Sequence, residues 1–211
     1  MSIPVASSLV GLSGFRCIVA DPPWPYPEGF GIGRIPKGTV HDGRRTPMPY
    51  PQMSLEEIKA LPVAGCAADG CHLYLWTTNR YLRQAFDVLD AWGFRYGQTL
   101  VWAKNPIRSI LGGAFPPSTE FILFARRGVL RHIKKGDSSW WNWKRSGQGG
   151  HSRKPEAFQD MVETVSPGPY LELFARRPRL NWTVWGDEVE ANSAICLTGG
   201  GKDGEGRVTS A

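Results

Sequence analysis

The 211-residue sequence contains no stretch approaching the roughly 20 consecutive apolar residues that a bilayer-crossing helix needs. Its opening, MSIPVASSLVGLSGF, has no basic segment ahead of an apolar one, so neither export nor anchoring is indicated and a cytoplasmic protein is expected. Cysteine is sparse, and the four residues Cys17, Cys66, Cys71 and Cys196 include no CxxC pair. Cys66, Cys71 and His72 offer three metal donors without a fourth, at the wrong spacing for a zinc knuckle, so no metal site is expected and the thiols read as reduced. The glycines Gly29, Gly31 and Gly33 do not form a GxGxxG phosphate loop, and no internal repeat is visible. Acid is the scarcer charge: 19 Asp and Glu face 25 Lys and Arg, giving a net charge of +6 that suits a polyanionic partner.

The chain is instead rich in glycine (25), proline (17) and tryptophan (9), which predicts long ordered loops and flat surfaces on which planar groups stack. Its length suits one domain able to bury roughly 70% of the unfolded chain's surface. Hydrophobic runs suited to strands occur at 15–20, 72–77, 94–104, 120–125, 170–175 and 181–186. Between them, Ser54 to Glu57 form a capping box opening a helix to about Leu61, and Asn79 is placed to cap a helix with Leu82, Phe86, Leu89 and Trp92 on one face. Ser152 is placed to cap a helix buried through Phe158, Met161, Val162 and Val165. This alternation is that of an α/β domain over residues 1–189, followed by a Gly-rich polar tail at 190–211.

The first strand ends abruptly in Asp21-Pro22-Pro23-Trp24. Two prolines cannot continue a ladder, so Asp21 sits at the carboxyl end of the strand, where open α/β sheets bind ligands. The Asp21 carboxylate and the Pro22 carbonyl are two acceptors for an exocyclic amine, the prolines hold them rigid, and Trp24 is expected to offer its face to the base. An adenine amine is a weak nucleophile because its lone pair is delocalised. Acceptors placed this way favour the nitrogen as it gains positive charge in attacking a sulfonium methyl. The role this gives Asp21 is orientation and electrostatic stabilisation rather than abstraction of a proton by a strong base.

A second concentration of chemistry lies in 126–154, with nine Lys or Arg and a single Asp, interleaved with Trp140, Trp141 and Trp143. This is the pattern of a groove that neutralises phosphates and stacks bases; Arg131, Lys134, Lys135, Lys144 and Arg145 are the candidate phosphate contacts. Trp76 and Trp102 read as core aromatics. The long Pro/Gly-rich segment 25–53, which contains His41 and Tyr50, reads as a wall or lid over a site, and Tyr50, Asn105 and Arg108 as candidate pocket residues for the substrate.

With DPPW stand the Met53-Ser54 helix start, Leu75-Trp76-Thr77-Thr78, Trp102-Ala103-Lys104-Asn105, His151 to Pro155, Ser166-Pro167-Gly168 and Glu172 to Arg176, in one order over Phe15 to Val189. In these the chain resembles the mRNA-type N-6-adenine methyltransferase family, and especially its short prokaryotic and phage members that act on DNA. The resemblance implies a Rossmann-like, S-adenosylmethionine-dependent methyltransferase fold with permuted motif order and a mixed central sheet flanked by helices. It implies catalysis by Asp21, Pro22, Pro23 and Trp24, and cofactor binding by Asp21, Lys154, Glu172, Arg176, Asn181, Asp187 and Glu188. It implies DNA as substrate, with RNA as the alternative, in a bacterial or phage-infected cell, and assembly as a homodimer or with a heteromeric partner subunit; a catalytically weak nucleic-acid-binding partner is the alternative to an active enzyme. Two departures stand out: Asp187-Glu188 replaces an amide pair of the larger members, and no acidic residue stands near Ile3, where they carry a further cofactor contact.

Overall fold

The computed structural model describes residues 9–26, 51–104, 115, 117–143 and 154–186. Seven strands, β1 (Phe15–Ala20), β2 (Ala67–Thr78), β3 (Arg95–Ala103), β4 (Thr119–Arg127), β5 (Trp140–Trp141), β6 (Tyr170–Leu173) and β7 (Trp182–Trp185), form one mixed sheet in the order β5-β3-β4-β2-β1-β6-β7. β1 is parallel to both its neighbours, β2 and β6, while β4 runs antiparallel to β2 and β3. The chain leaves β1 toward β2 on one side and returns to β6 on the other, so the end of β1 lies where the strand order reverses, the crevice in which such sheets bind ligands.

Period-two alternation divides the strands between two cores. One face carries Ile18, Ala20, Leu73, Leu75, Leu123, Leu171 and Leu173 and is covered by α1 (Leu55–Lys59), α2 (Val63–Cys66) and α3 (Leu82–Ala91). The other carries Val19, Tyr74, Trp76, Trp102, Ile122 and Val184 and is covered by α4 (Glu156–Val165) through Phe158 and Val162. Trp76 and Trp102 meet edge to face at 5.9 Å inside this second core, as their sequence context predicts.

The capping box at Ser54 is present in full: Glu57 N–H donates to the Ser54 hydroxyl, and the Ser54 N–H donates to the Glu57 carboxylate at 2.7 Å. Contact with Ser54 holds the Glu57 carboxyl below the usual range. Asn79 does not cap α3. Tyr81 occupies that position, while the Asn79 amide donates to Thr119 at 3.3 Å. The stripe of α3 is centred on Ala85, Val88 and Leu89, with Leu82 and Phe86 at its margin. Pro155 is the N-cap residue of α4 rather than part of its first turn, and Ser152 lies outside the described residues. α2 and the two-residue β5 have no counterpart in the sequence reading, because four- and two-residue elements carry too little periodicity to register.

β6 stops at Leu173, short of the expected 175, because Phe174 takes a positive φ of 62°. The chain then folds against the end of β7, where Ala175 N–H donates to Trp185 C=O at 2.9 Å. Gly186 makes that approach possible: a Cβ there would lie 2.1 Å from the Ala175 carbonyl oxygen. Gly186→Ala is expected to cost about 2 kcal/mol, a fall in Tm of roughly 4–8 °C for a domain of this size, measured by thermal denaturation.

Candidate active site

Asp21 follows directly on β1, and the prolines behind it remove two backbone donors. The next available N–H groups turn back: Trp24 donates to Pro22 C=O and Tyr26 to Trp24 C=O, both at 2.9 Å, and Met53 donates to Pro23 C=O at 3.0 Å. Pro22 C=O keeps a second lone pair. The segment is therefore pinned on the sheet end with its carbonyls fixed.

Trp24 corrects an expectation. Its side chain is buried at 3% exposure instead of presenting a face to a base; the indole N–H donates to Trp76 C=O at 3.2 Å, and the ring stacks on Tyr81 at 5.4 Å. Tyr81 in turn donates to Pro25 C=O, and Tyr26 shares a 2.8 Å hydrogen bond with Thr78. Extra apolar surface was available at the strand end, and the α1–α3 core took the ring. Trp24 is a support for the Asp21 segment.

Charge converges on the same sheet end from three places. Lys154, just ahead of α4, puts Nζ 2.9 Å from Asp21 Oδ2 and 3.1 Å from Glu120 Oε2. Glu120, buried near the start of β4, also accepts from Lys104 at the end of β3. Burial opposes the charge on Lys154, but Asp21 and Glu120 outweigh it and hold the ammonium above the ordinary lysine range. Burial likewise opposes ionisation of Glu120, and Lys154 and Lys104 hold its carboxyl below the usual range. Lys154 also lies 4.9 Å above the ring centre of Trp76, a favourable cation–π placement.

A cleft of about 80 Å3 opens between Asp21, Glu120, Lys154, Arg176 and the two threonines ending β2. Thr77 reaches it with a buried hydroxyl that has no hydrogen-bond partner among the described residues, a group whose desolvation a ligand would relieve. Beside it, Glu172 of β6 pairs in the ladder with Val19, two residues before Asp21, and accepts from the Gln159 amide of α4 at 2.6 Å. Gln159 Oε1 accepts from Arg177 at 3.2 Å. Burial pushes the Glu172 carboxyl up to about 7, with Asp21 adding to the rise and Gln159 and Arg177 only partly opposing it.

The structure thus gathers Asp21, Pro22, Pro23, Lys154, Glu172 and the exposed Arg176 at one end of the sheet. Asn181 is not among them. It is exposed, takes a positive φ of 64°, and precedes β7, whose first residue pairs with Tyr170 at the opposite end of the sheet. Arg131, Lys134 and Lys135 are also exposed and follow the far end of β4, so they do not line the Asp21 cleft. Tyr50, Asn105, Arg108, Lys144, Arg145, Asp187 and Glu188, with His41, lie outside the described residues. Sequence reasoning missed Glu120. Its one signal was a lone carboxylate opening the apolar run EFILFA, and only the antiparallel pairing of β4 with β2 turns that position toward Asp21.

The MT-A70 family model matches residues 15–188, which span every described strand and helix of the fold. The chain belongs to the MT-A70 family. Its relatives named as N(6)-adenosine-methyltransferases support adenine N-6 methylation as the chain's reaction. The chain is similar to the Type II methyltransferase M.MunI of Mycoplasma sp, at 29% identity over 88% of this chain and 82% of that protein. It is also similar to the N(6)-adenosine-methyltransferase MT-A70-like protein of Drosophila melanogaster, at 27% identity over 85% of this chain and 28% of that protein. The human N(6)-adenosine-methyltransferase catalytic subunit METTL3 matches at 25% over 85% of this chain and 29% of its own length. The chain therefore spans less than a third of these eukaryotic relatives. Among the described residues no helix is long and apolar enough to cross a membrane.

Removing the central cation tests the electrostatics of this cleft. Lys154→Met leaves Asp21 and Glu120 without their shared partner, and a loss of about 2–3 kcal/mol is expected near pH 8. In the variant Glu120 takes up a proton more readily, so the deficit should shrink toward pH 5. Chemical denaturation at the two pH values checks the trend, and Glu120→Gln in the same background should recover part of the loss.

Proposed function

We propose that this chain transfers a methyl group from S-adenosylmethionine to the N-6 amine of adenine in DNA, with Asp21 and the Pro22 carbonyl holding the amine. The observation that carries this reading is the pinned acceptor pair at the sheet end, next to Lys154 and Glu172. DNA is favoured over RNA because the match to the Type II methyltransferase covers most of both chains, in keeping with the resemblance to short members that act on DNA.

The donor set suits the cofactor. Lys154 is a cation matched to its carboxylate, Glu172 is an acid matched to ribose hydroxyls, and Arg176 borders the same cleft. Asp187 and Glu188, which follow Gly186 in the sequence, are the candidate contacts for its adenine. When bound, S-adenosylmethionine supplies an electrophilic sulfonium methyl. The chain's own part is to orient the amine: Asp21 and Pro22 C=O accept hydrogen bonds from its two N–H groups, turn its lone pair out of conjugation, and stabilise the positive charge gained as the nitrogen takes the methyl from sulfur. The ammonium product is acidic enough to lose a proton without a strong base. Asp21 and Glu120 keep Lys154 charged and in place, and Lys104 holds Glu120 from its other oxygen.

Labelled methyl transfer to duplex DNA, single-stranded DNA and RNA, followed by nucleoside mass spectrometry, tests the reading. N-6-methyladenine is expected, most on DNA, and Asp21→Ala should lower kcat at least ~100-fold. Greater turnover on RNA would reverse the substrate assignment, and cofactor binding with no transfer to any nucleic acid would indicate a subunit that needs a partner.

Glu172 adds a pH dependence with two opposite signs. Its folded-state pKa, near 7, lies above the unfolded value, so its contribution to stability is present in acid and lost as pH rises through about 7. Hydroxyl donors prefer the carboxylate, so cofactor affinity should rise over the same interval. Calorimetric titration from pH 6 to pH 8 is expected to show proton release on binding, and Glu172→Gln should bind more weakly with neither trend.

A further inference from the structure

β4 carries opposite charges at its two ends: Glu120 faces the catalytic cleft, and Arg126-Arg127 close the strand at the other end of the sheet. There the ladder sets Arg126 directly opposite Arg95 of β3 on one side and His72 of β2 on the other. Like charges in register across neighbouring strands oppose folding unless something neutralises them. Among the described residues no carboxylate forms an ion pair with Arg95 or Arg126. His72 is held below the ordinary histidine range by burial, with Arg126 and His132 adding to the fall.

These arginines line an open cleft of about 400 Å3 with Gly93, Gly128 and Val129. Its wall is built. Arg127 is tied by a hydrogen bond to Ala64 C=O, and Gly128 has a φ of +57° at a point where a Cβ would lie 1.9 Å from the Asp69 carbonyl oxygen. Arg126 also lines the neighbouring cavity on the α4 side, together with His132 and Lys135. Cationic groups from β3, β4 and the loop after β4 therefore meet at one place. That place is the far end of the sheet, roughly 20 Å from Glu120 at about 3.3 Å per residue along β4.

We propose that the Arg95–Arg126–Arg127 cleft is a second nucleic-acid contact, binding backbone phosphates of the substrate about six nucleotides from the methylated base. The spacing follows from roughly 3.4 Å of duplex length per base pair. The ligand class follows from the chemistry: guanidinium forks match phosphate oxygens, and unneutralised like charges in register are relieved by a polyanion. The proposal rests on the reading of the chain as a nucleic-acid methyltransferase. It moves the phosphate grip from the basic loop alone to the sheet end that the loop adjoins.

The test uses the full chain with Arg95→Ala and Arg126→Ala combined, beside a control pair, Lys59→Ala and Arg83→Ala, on α1 and α3. Fluorescence anisotropy with a 24-base-pair duplex over a range of salt should show about tenfold weaker binding for the double variant and a salt slope shallower by about 2. The control pair should leave both unchanged, and the Tm of the double variant should hold or rise as repulsion is removed. In methyl transfer, KM for the long duplex should rise about tenfold with kcat unchanged, and an 8-base-pair duplex should show no difference. An unchanged slope, an equal effect of the control pair, or an equal KM effect on both lengths would overturn the proposal. Absence of methyl transfer by the unmodified chain would sink the enzymatic reading instead, while the binding measurements would still decide whether this cleft holds phosphates.

Discussion

Lys154 ties together two carboxylates that strand pairing brings to one end of the sheet. Asp21 comes from the end of the central parallel strand, Glu120 from the start of an antiparallel one, and the lysine from the entrance to α4. The shared ammonium, with Lys104 on Glu120, holds the buried Glu120 carboxyl below the usual range and fixes the entry of α4 on the sheet. Once α4 is set, Gln159 is aimed at Glu172, and a second acid is held beside the first. The polar centre and the packing of α4 through Phe158 and Val162 are thus one arrangement.

Much of this was legible in the residues. The abrupt stop after Ala20 located the sheet end, the capping box located α1, and the ordered set of short motifs pointed to a mixed α/β methyltransferase before any pairing was known. What escaped has a common cause. Trp24 was expected outside because prolines drive it off the strand, but a ring of that size gains more by stacking on Tyr81 in the core. Glu120 was passed over because its place depends on strand direction, which local sequence does not encode. Asn181 was grouped with the cofactor residues through the family resemblance, yet β7 carries the chain from Asn181 at one end of the sheet to Trp185 at the other. The basic loop was similarly read by composition, which reports charge and not location.

The two ends of the sheet also divide the electrostatic work. At the Asp21 end, Lys154 and Lys104 are each paired with a carboxylate, which offsets much of the charge lining the cleft. At the other end the ladder sets Arg126 directly opposite Arg95, with no carboxylate between them among the described residues. A polyanion therefore meets attraction away from the chemistry and near neutrality at it, so the strength of holding the backbone and the precision of placing the base are separable properties of one sheet.

The doubled proline has a further consequence. From Asp21 to Pro23 the wall of the crevice presents carbonyls and a carboxylate, and the only amide hydrogen in the triplet belongs to Asp21 itself. Such a surface welcomes an edge that brings hydrogens and rejects one that brings lone pairs. Adenine and cytosine offer an amine at the reacting position, whereas guanine and thymine offer a keto oxygen there. In the proposed reaction the motif filters bases by the sign of the dipole they present, before any question of size or shape arises.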